Sequence, residues 1–186
     1  MGYEVALNNS WRELIRLNPL EKDLRLKVLA DEYSVDPDAK RILSLSCNAA
    51  AKDFLSILIL HYLVSKIKGL PPLTGEWLPF REMSGIEGYY SAFRNRSVEP
   101  IIRKYGGNPQ GIFSVLEKLP GKKTEHAGAD ASIIITVFEG VPLLISLWRA
   151  DEEFGAEANV FFDRSSTGIF CTEDIVVLAG IVAGNL

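Results

Sequence analysis

The stretch SIIITVFEGVPLLISLW, residues 132–148, decides the fold class of this chain. Two runs rich in β-branched and aromatic residues, 132–138 and 143–148, are joined through Glu139 and Gly140. Such runs favour strands, and a glycine between them suits a tight turn between antiparallel neighbours. The stretch therefore predicts a β-hairpin.

The chain after this hairpin predicts a second hairpin and a final helix. Residues 159–162 and 168–170 have strand character on either side of a polar turn at 163–167, which is typical of a hairpin. Thr172 then offers a helix cap with two acids behind it, before the apolar run at 175–182. Acids in a first turn favour a helix there.

Residues before the hairpins are mostly helical in pattern, because apolar side chains recur at intervals of three and four. The predicted elements are, in chain order, a helix capped by Ser10 and Glu13 and ending at Leu17, an amphipathic helix at 20–33, an edge strand at 41–46, a buried helix at 50–67, a long ordered loop at 70–88, and helical stretches at 87–96, 98–105 and 108–121. Helices first and hairpins later indicate an α+β fold. We predict a single domain over residues 1–186, with the helical N-terminal and middle regions packed on an antiparallel sheet of C-terminal hairpins.

Composition narrows the classes of function. The 186 residues are 47% hydrophobic with a formal net charge of −4, which disfavours nucleic acid and anionic lipid as partners. The longest apolar stretches are shorter than the ~20 residues of a membrane-spanning helix. Cys47 and Cys171 are far apart in the sequence, which favours a reducing compartment. We therefore expect a cytoplasmic protein with no nucleic-acid or membrane partner.

Four parts of the sequence carry a resemblance to a known family. They are ILHYL at 59–63, LTGEWLPFRE at 73–82, GAD at 128–130, and the series WRADEEF at 148–154, FFD at 161–163 and TED at 172–174. Together they resemble the DUF3786 family. The resemblance implies an uncharacterised prokaryotic domain that is common in anaerobes. Some relatives carry an added cysteine cluster suited to an iron–sulfur centre, whereas this chain has two cysteines, too few for one.

Two segments are candidates for a ligand-binding pocket, the loop at 74–82 and the segment at 151–163. In the first, glycine frees backbone amides, a tryptophan offers an aromatic face, and an arginine fork suits a carboxylate or phosphate. The second holds the densest group of acids in the chain. The candidate ligand-binding residues are Glu76, Trp77, Arg81, Glu82, Trp148, Asp151, Glu152, Glu153 and Asp163. The leading hypothesis is a cytoplasmic small-ligand-binding or accessory domain with its pocket between these segments.

Three alternatives stay open. An enzyme would use the carboxylates at 151–153 as acid, base or divalent-metal ligands, with Asp130, Asp151 and Asp163 converging. A structural explanation makes the acids a solvated turn, with Arg81 pairing to one of them to hold the loop. The family's distribution also suggests a protein-interaction module for anaerobic redox or corrinoid machinery. No cofactor or reaction is predicted.

The two histidines have plainer explanations. His61 lies within the apolar helix, and a core histidine bonded to a neighbour such as Ser65 is the expected role. His126, in a loop rich in lysine and glycine, is expected to be exposed. Neither histidine has the spacing to cysteines that a structural zinc site needs.

Overall fold

The computed structural model describes residues 3–17 and 23–186. Within these ranges the α-helices are α1 (Glu4–Leu17), α2 (Asp53–Lys68), α3 (Tyr90–Phe93), α4 (Glu99–Tyr105) and α5 (Thr172–Asn185). The strands are β1 (Leu24–Val28), β2 (Asp31–Asp36), β3 (Arg41–Ser44), β4 (Ala49–Ala50), β5 (Trp77–Pro79), β6 (Gly121–Thr124), β7 (Ala131–Phe138), β8 (Val141–Trp148) and β9 (Glu157–Asp163). The predicted α+β class is confirmed.

The larger sheet is built on the predicted hairpin. Its strand order is β5-β9-β8-β7-β6, and every neighbouring pair is antiparallel. Strands β7 and β8 meet at Gly140, whose φ of 76° suits a residue without a Cβ. One face of the sheet carries fully buried aliphatic side chains, among them Ile133, Leu143 and Ile145, and this face forms the floor of the core.

Two apolar helices, α2 and α5, complete the core. Tyr62 of α2 stacks on Phe138 of β7 with ring centroids 4.4 Å apart. The helical choice for the C-terminal run is confirmed. The helix predicted at 50–67 is present as α2, but it begins at Asp53, because Ala50 belongs to β4. Helix α5 is capped by Cys171 and not by Thr172, because the Asp174 carboxylate accepts the Cys171 backbone N–H at 3.3 Å.

The helix predicted at 20–33 is wrong where the structure describes it, from residue 23 onward. Strands β1 and β2 form a hairpin there, and with β3 and β4 they make a second, four-stranded sheet. Alternation of Leu24, Leu26 and Val28 sets the strand period, and Leu29 turns the chain with a φ of 55°. The strand predicted at 41–46 is present as β3, but it lies between β2 and β4 and not at the edge.

The second C-terminal hairpin is also wrong. Strand β9 pairs with β5 on its free side, and residues 164–168 form a 3₁₀ turn instead of leading into a return strand. The Asp163 carboxylate caps that turn by accepting the Ser165 N–H at 2.9 Å, which diverts the chain from a hairpin.

The N-terminal capping box is not formed either, because α1 already begins at Glu4 and Ser10 lies inside it. The helix does end at Leu17 as predicted, whereas Asn18 and Pro19 lie outside the described residues.

The middle of the chain is helical, as predicted, but irregular. Helix α3 continues into a π-helical segment at Arg94–Val98, then α4, and a 3₁₀ segment spans Pro109–Glu117. π-Helical turns inside α-helices occur often at functional sites. Among the helices of residues 3–17 and 23–186, none is long and apolar enough to cross a bilayer.

Candidate functional site

The two predicted segments are hydrogen-bonded neighbours. Strand β5, within the loop at 74–82, pairs with the last residues of β9, so that Trp77 lies opposite Asp163 and Pro79 opposite Phe161. Strand β5 ends there, and the first half of β9, residues 157–160, has no partner strand on that side. The chain turns away at Phe80, and a cleft opens beside this unpaired half.

The cleft has a volume of about 670 Å³, within the range of ordinary small-molecule sites. Its walls come from the end of β8, the loop that follows, the start of β9 and the helical segment from α3 to α4. The lining residues that bear on its chemistry are Arg81, Tyr90, Arg94, Trp148, Asp151 and Phe154.

A side chain occupies one backbone N–H group of the strand edge within the cleft. Asn159 accepts the Val160 backbone N–H on its side-chain oxygen at 2.9 Å. An exposed strand edge with free N–H groups invites pairing with another chain. Asn159 therefore satisfies one such group next to the point where β5 ends.

The Arg81 guanidinium has a phenol as its partner at the mouth of the cleft. Arg81 donates to the Tyr90 hydroxyl, and its guanidinium carbon lies 4.7 Å from the Tyr90 ring centroid. Hydrogen bonds to Tyr90 and then to Glu99 raise the pKa of Arg94, and the Arg94–Glu99 pair is 2.7 Å long. Arg81 makes no ion pair with any acid among the described residues, so the expected pairing of Arg81 with the acids at 151–153 is not formed.

The base of the cleft is rigid aromatic packing. Phe80 stacks on Phe93 with ring centroids 4.2 Å apart, and Phe93 contacts Phe162 of β9 at 6.3 Å. The π-helical segment begins directly after Phe93, which places Arg94 at the rim while Phe93 stays buried.

The opposite wall presents an exposed phenylalanine on a built turn. Asp151 accepts the backbone N–H groups of Glu153 at 2.9 Å and Phe154 at 2.7 Å, and its own N–H bonds to the Phe154 carbonyl at 2.9 Å. The bonds from Phe154 and Glu153 lower the pKa of Asp151. Phe154 is 65% exposed and lines the cleft with Trp148.

Of the nine predicted site residues, Arg81, Trp148 and Asp151 line the cleft. Glu82, Glu152 and Glu153 are exposed beside it. Glu76 makes a two-pronged ion pair with Arg164, which lowers the pKa of Glu76. Trp77 and Asp163 lie at the opposite end of β9 from the cleft.

Asp163 is a structural acid. It is 1% exposed and accepts the backbone N–H groups of Thr74 at 3.1 Å and Gly75 at 2.7 Å, along with the Thr74 hydroxyl and the Ser165 N–H. Burial acts to raise its pKa, but hydrogen bonds from Ser165, Thr74 and Gly75 outweigh burial and lower it to about 2. The carboxylate anchors the loop at 74–82 to β9.

The hypothesis that Asp130, Asp151 and Asp163 converge on a metal is wrong. Asp130 lies near the end of β8, where it accepts the Arg149 backbone N–H at 2.7 Å. Asp163 lies near the start of β8, because it follows Phe162, which pairs with Leu143. In the part of the chain that the structure describes, no three His, Cys, Asp or Glu side chains form a group that can hold a metal ion.

A serine–histidine–aspartate chain, which the sequence did not reveal, links three helices. His61 of α2 bonds through Nδ1 to Asp174 of α5 at 2.8 Å and through Nε2 to Ser10 of α1 at 2.9 Å. The predicted neighbour Ser65 takes no part, although His61 is hydrogen-bonded as expected. Partners 51 and 113 residues away in the sequence leave no local pattern by which to find them.

This chain of bonds lacks the features of a nucleophilic site. Ser10 is 4% exposed and does not line the small cavity of about 250 Å³ beside His61 and Cys171. Its hydroxyl also bonds to the Ala6 carbonyl at 2.9 Å. Partial burial and the Asp174 carboxylate raise the pKa of the Cys171 thiol, which keeps the thiol protonated at neutral pH. The cluster ties helices together.

His126 is half-buried and not free. Its ring contacts Phe161 edge-on with centroids 4.6 Å apart, and Nδ1 lies 3.2 Å from the Ser146 hydroxyl. Ser132 donates to Ser146 at 3.0 Å, so the histidine closes a short polar chain across the sheet. A shallow hollow of about 770 Å³ lies along this loop.

Comparison with known proteins identifies the family. The family model described as "Domain of unknown function (DUF3786)" matches residues 12–185. No curated protein and no solved structure matches the chain significantly. Because the match covers nearly the whole sequence, the chain belongs to the DUF3786 family.

Proposed function

We propose that this protein is a small-ligand-binding domain, and that its site is the cleft between the α3–α4 segment, the end of β8 and the start of β9. The ligand is an organic anion. The observation that carries the proposal is Arg81, a guanidinium at the mouth of the cleft that has a neutral phenol as its partner and no ion pair within residues 3–17 and 23–186.

Arg81 favours an anion at the mouth of the cleft. Tyr90 offers Arg81 one neutral oxygen, and an anionic oxygen at the same place makes stronger, charge-assisted bonds. The guanidinium fork is suited to planar anions. Helix irregularity at Arg94–Val98 adds support, because π-helical turns mark functional sites in many proteins.

The enzymatic alternative has weaker support. Glu152 and Glu153 are exposed, and the lowered pKa of Asp151 is the opposite of what a general acid at neutral pH needs. Binding without chemistry is therefore the preferred proposal.

We also propose a cytoplasmic location. Cys47 and Cys171 are exposed free thiols, and free thiols persist in reducing compartments. A docking role with anaerobic redox or corrinoid machinery remains a further proposal, and it rests on the family resemblance alone.

The test is the melting temperature of the purified protein against a panel of organic anions, nucleotides, divalent metals and a corrinoid. A ligand that binds the native state raises the midpoint. We expect an organic anion to raise it in the parent protein and in Arg103→Ala, but not in Arg81→Ala. Arg103 is the matched control because it is exposed on α4 outside the cleft lining. A panel without any Arg81-dependent shift would exclude the proposed function.

A further inference from the structure

We infer that the ligand of this cleft is an aromatic monocarboxylate, with its carboxylate at Arg81 and its ring against Trp148 and Phe154. The inference rests on the proposed function, because it assumes that the cleft binds a small molecule. It adds the charge and the shape of that molecule.

The charge of the lining sets the charge of the ligand. Arg81, Arg94, Arg149, Asp151 and Glu157 line the cleft, but Glu99 already pairs with Arg94 at 2.7 Å, which leaves Arg81 and Arg149 as the lining cations without an ion pair among the described residues. Arg149 donates to the neutral Gln110 side chain at 3.2 Å. A phosphate monoester carries about −1.5 to −2 at neutral pH, and its second charge would be repelled by Asp151 and Glu157. A monoanion supplies the single charge that Arg81 lacks in a partner, and the carboxylate is the monoanion that a guanidinium fork binds in two-pronged fashion.

The aromatic wall sets the shape. Phe154 is 65% exposed, yet three hydrogen bonds with Asp151 and its turn hold it in place. A large apolar side chain on an ordered turn gains stability when a second apolar surface covers it. Trp148 lines the same cleft and is half-buried, so a planar ring that enters the cleft covers both aromatic groups at once.

The ligand must also be compact. Phe80 and Phe93 close the base of the cleft as a stacked pair and are 1% and 2% exposed. Asn159 blunts the β9 edge inside the cleft, which disfavours an extended peptide that would pair with that strand. A single ring with a short carboxylate arm reaches from the aromatic wall to Arg81 without using the strand edge.

Four matched probes test the inference by calorimetric titration at low salt: phenylacetate, phenylacetamide, cyclohexylacetate and phenyl phosphate. We expect phenylacetate to bind most tightly. Loss of the charge in phenylacetamide should weaken binding about tenfold or more, and loss of the flat ring in cyclohexylacetate about two- to tenfold. Arg81→Ala should act like removal of the charge and Phe154→Ala like removal of the flat ring, while Arg103→Ala should bind as the parent does.

The outcomes separate the ligand class from the function. Tighter binding of phenyl phosphate or of cyclohexylacetate, still dependent on Arg81, would overturn the aromatic monocarboxylate while the cleft stands as a binding site. Absence of binding by all four probes would also overturn the ligand class, and the broader panel of the melting experiment then decides the proposed function on its own. Circular dichroism of each variant checks that the fold is retained.

Discussion

The imidazole of His61 bonds to the Asp174 carboxylate at 2.8 Å, which joins the two most apolar helices of the core, α2 and α5. The bond runs through Nδ1 of His61. The opposite ring nitrogen reaches Ser10 on α1. One side chain thus ties together three helices that are distant in sequence.

His61→Ala is expected to lower the free energy of unfolding by about 2 kcal/mol, because it removes two hydrogen bonds and leaves Asp174 and Ser10 short of a partner. Ser65→Ala, one helical turn away on α2, is the control and should stay within about 0.5 kcal/mol of the parent. Urea unfolding at neutral pH measures both. Equal effects of the two substitutions would show that the interhelical bonds contribute nothing measurable.

Asp163 predicts a specific loss of stability in acid. Its pKa falls from 3.8 to about 2 on folding, so its contribution is fully present above about pH 5 and is lost as the pH falls toward 2. The shift corresponds to about 2 kcal/mol. The stability difference between the parent and Asp163→Asn should therefore shrink between pH 5 and pH 2, as followed by urea unfolding at each pH. A difference that stays constant over that range would contradict the assigned role.

The sequence predicted best where local pattern and tertiary role agree. The hairpin of β7 and β8 has strand-forming residues on both arms and a glycine with positive φ at its turn, so local preference already specifies the final structure. Helix α2 is similar, since its apolar character requires burial wherever it packs.

Prediction failed where the deciding signal was non-local or unusual. The hairpin of β1 and β2 turns at Leu29, a residue that rarely takes a positive φ, so no glycine or asparagine marked the turn. Leu24, Val28 and Leu29 also fit a helical period, which predicts a helix where the structure has a hairpin. The predicted return strand after β9 is wrong, because β9 pairs on that side with β5, which lies far earlier in the chain.

The candidate cleft was predictable in part. Arg81, Trp148 and Asp151 stood out by residue type, whereas Tyr90, Arg94 and Phe154 enter the cleft through the fold. Asp151 illustrates the difference, since an acidic run gives no indication that its first carboxylate closes a turn.

Gly121→Ala is expected to destabilise the sheet edge. A Cβ at this residue would lie 2.3 Å from the Ile134 carbonyl oxygen and 3.0 Å from side-chain atoms of Ile135 and Leu116. Because backbone is in the way, β6 has to shift, at a cost of about 1–3 kcal/mol. Gly107→Ala is the matched control, since its Cβ would meet nothing within 4 Å. Thermal unfolding of both variants measures the difference, and a Gly121 variant as stable as the control would contradict the close contact.

Substitutions of Asp151 can separate the role of its carboxylate in building the turn from the role of its negative charge. Its carboxylate holds the N–H groups of Glu153 and Phe154, and an asparagine oxygen accepts the same two bonds without the charge. We therefore expect Asp151→Ala to speed amide hydrogen exchange at Glu153 and Phe154 and to weaken phenylacetate binding, while Asp151→Asn retains both properties. Glu152→Ala, next in the chain and exposed, should behave as the parent. If Asp151→Asn instead loses both properties as completely as Asp151→Ala, the negative charge itself is required. That result would favour the enzymatic alternative over a binding site in which Asp151 only holds the turn of the aromatic wall.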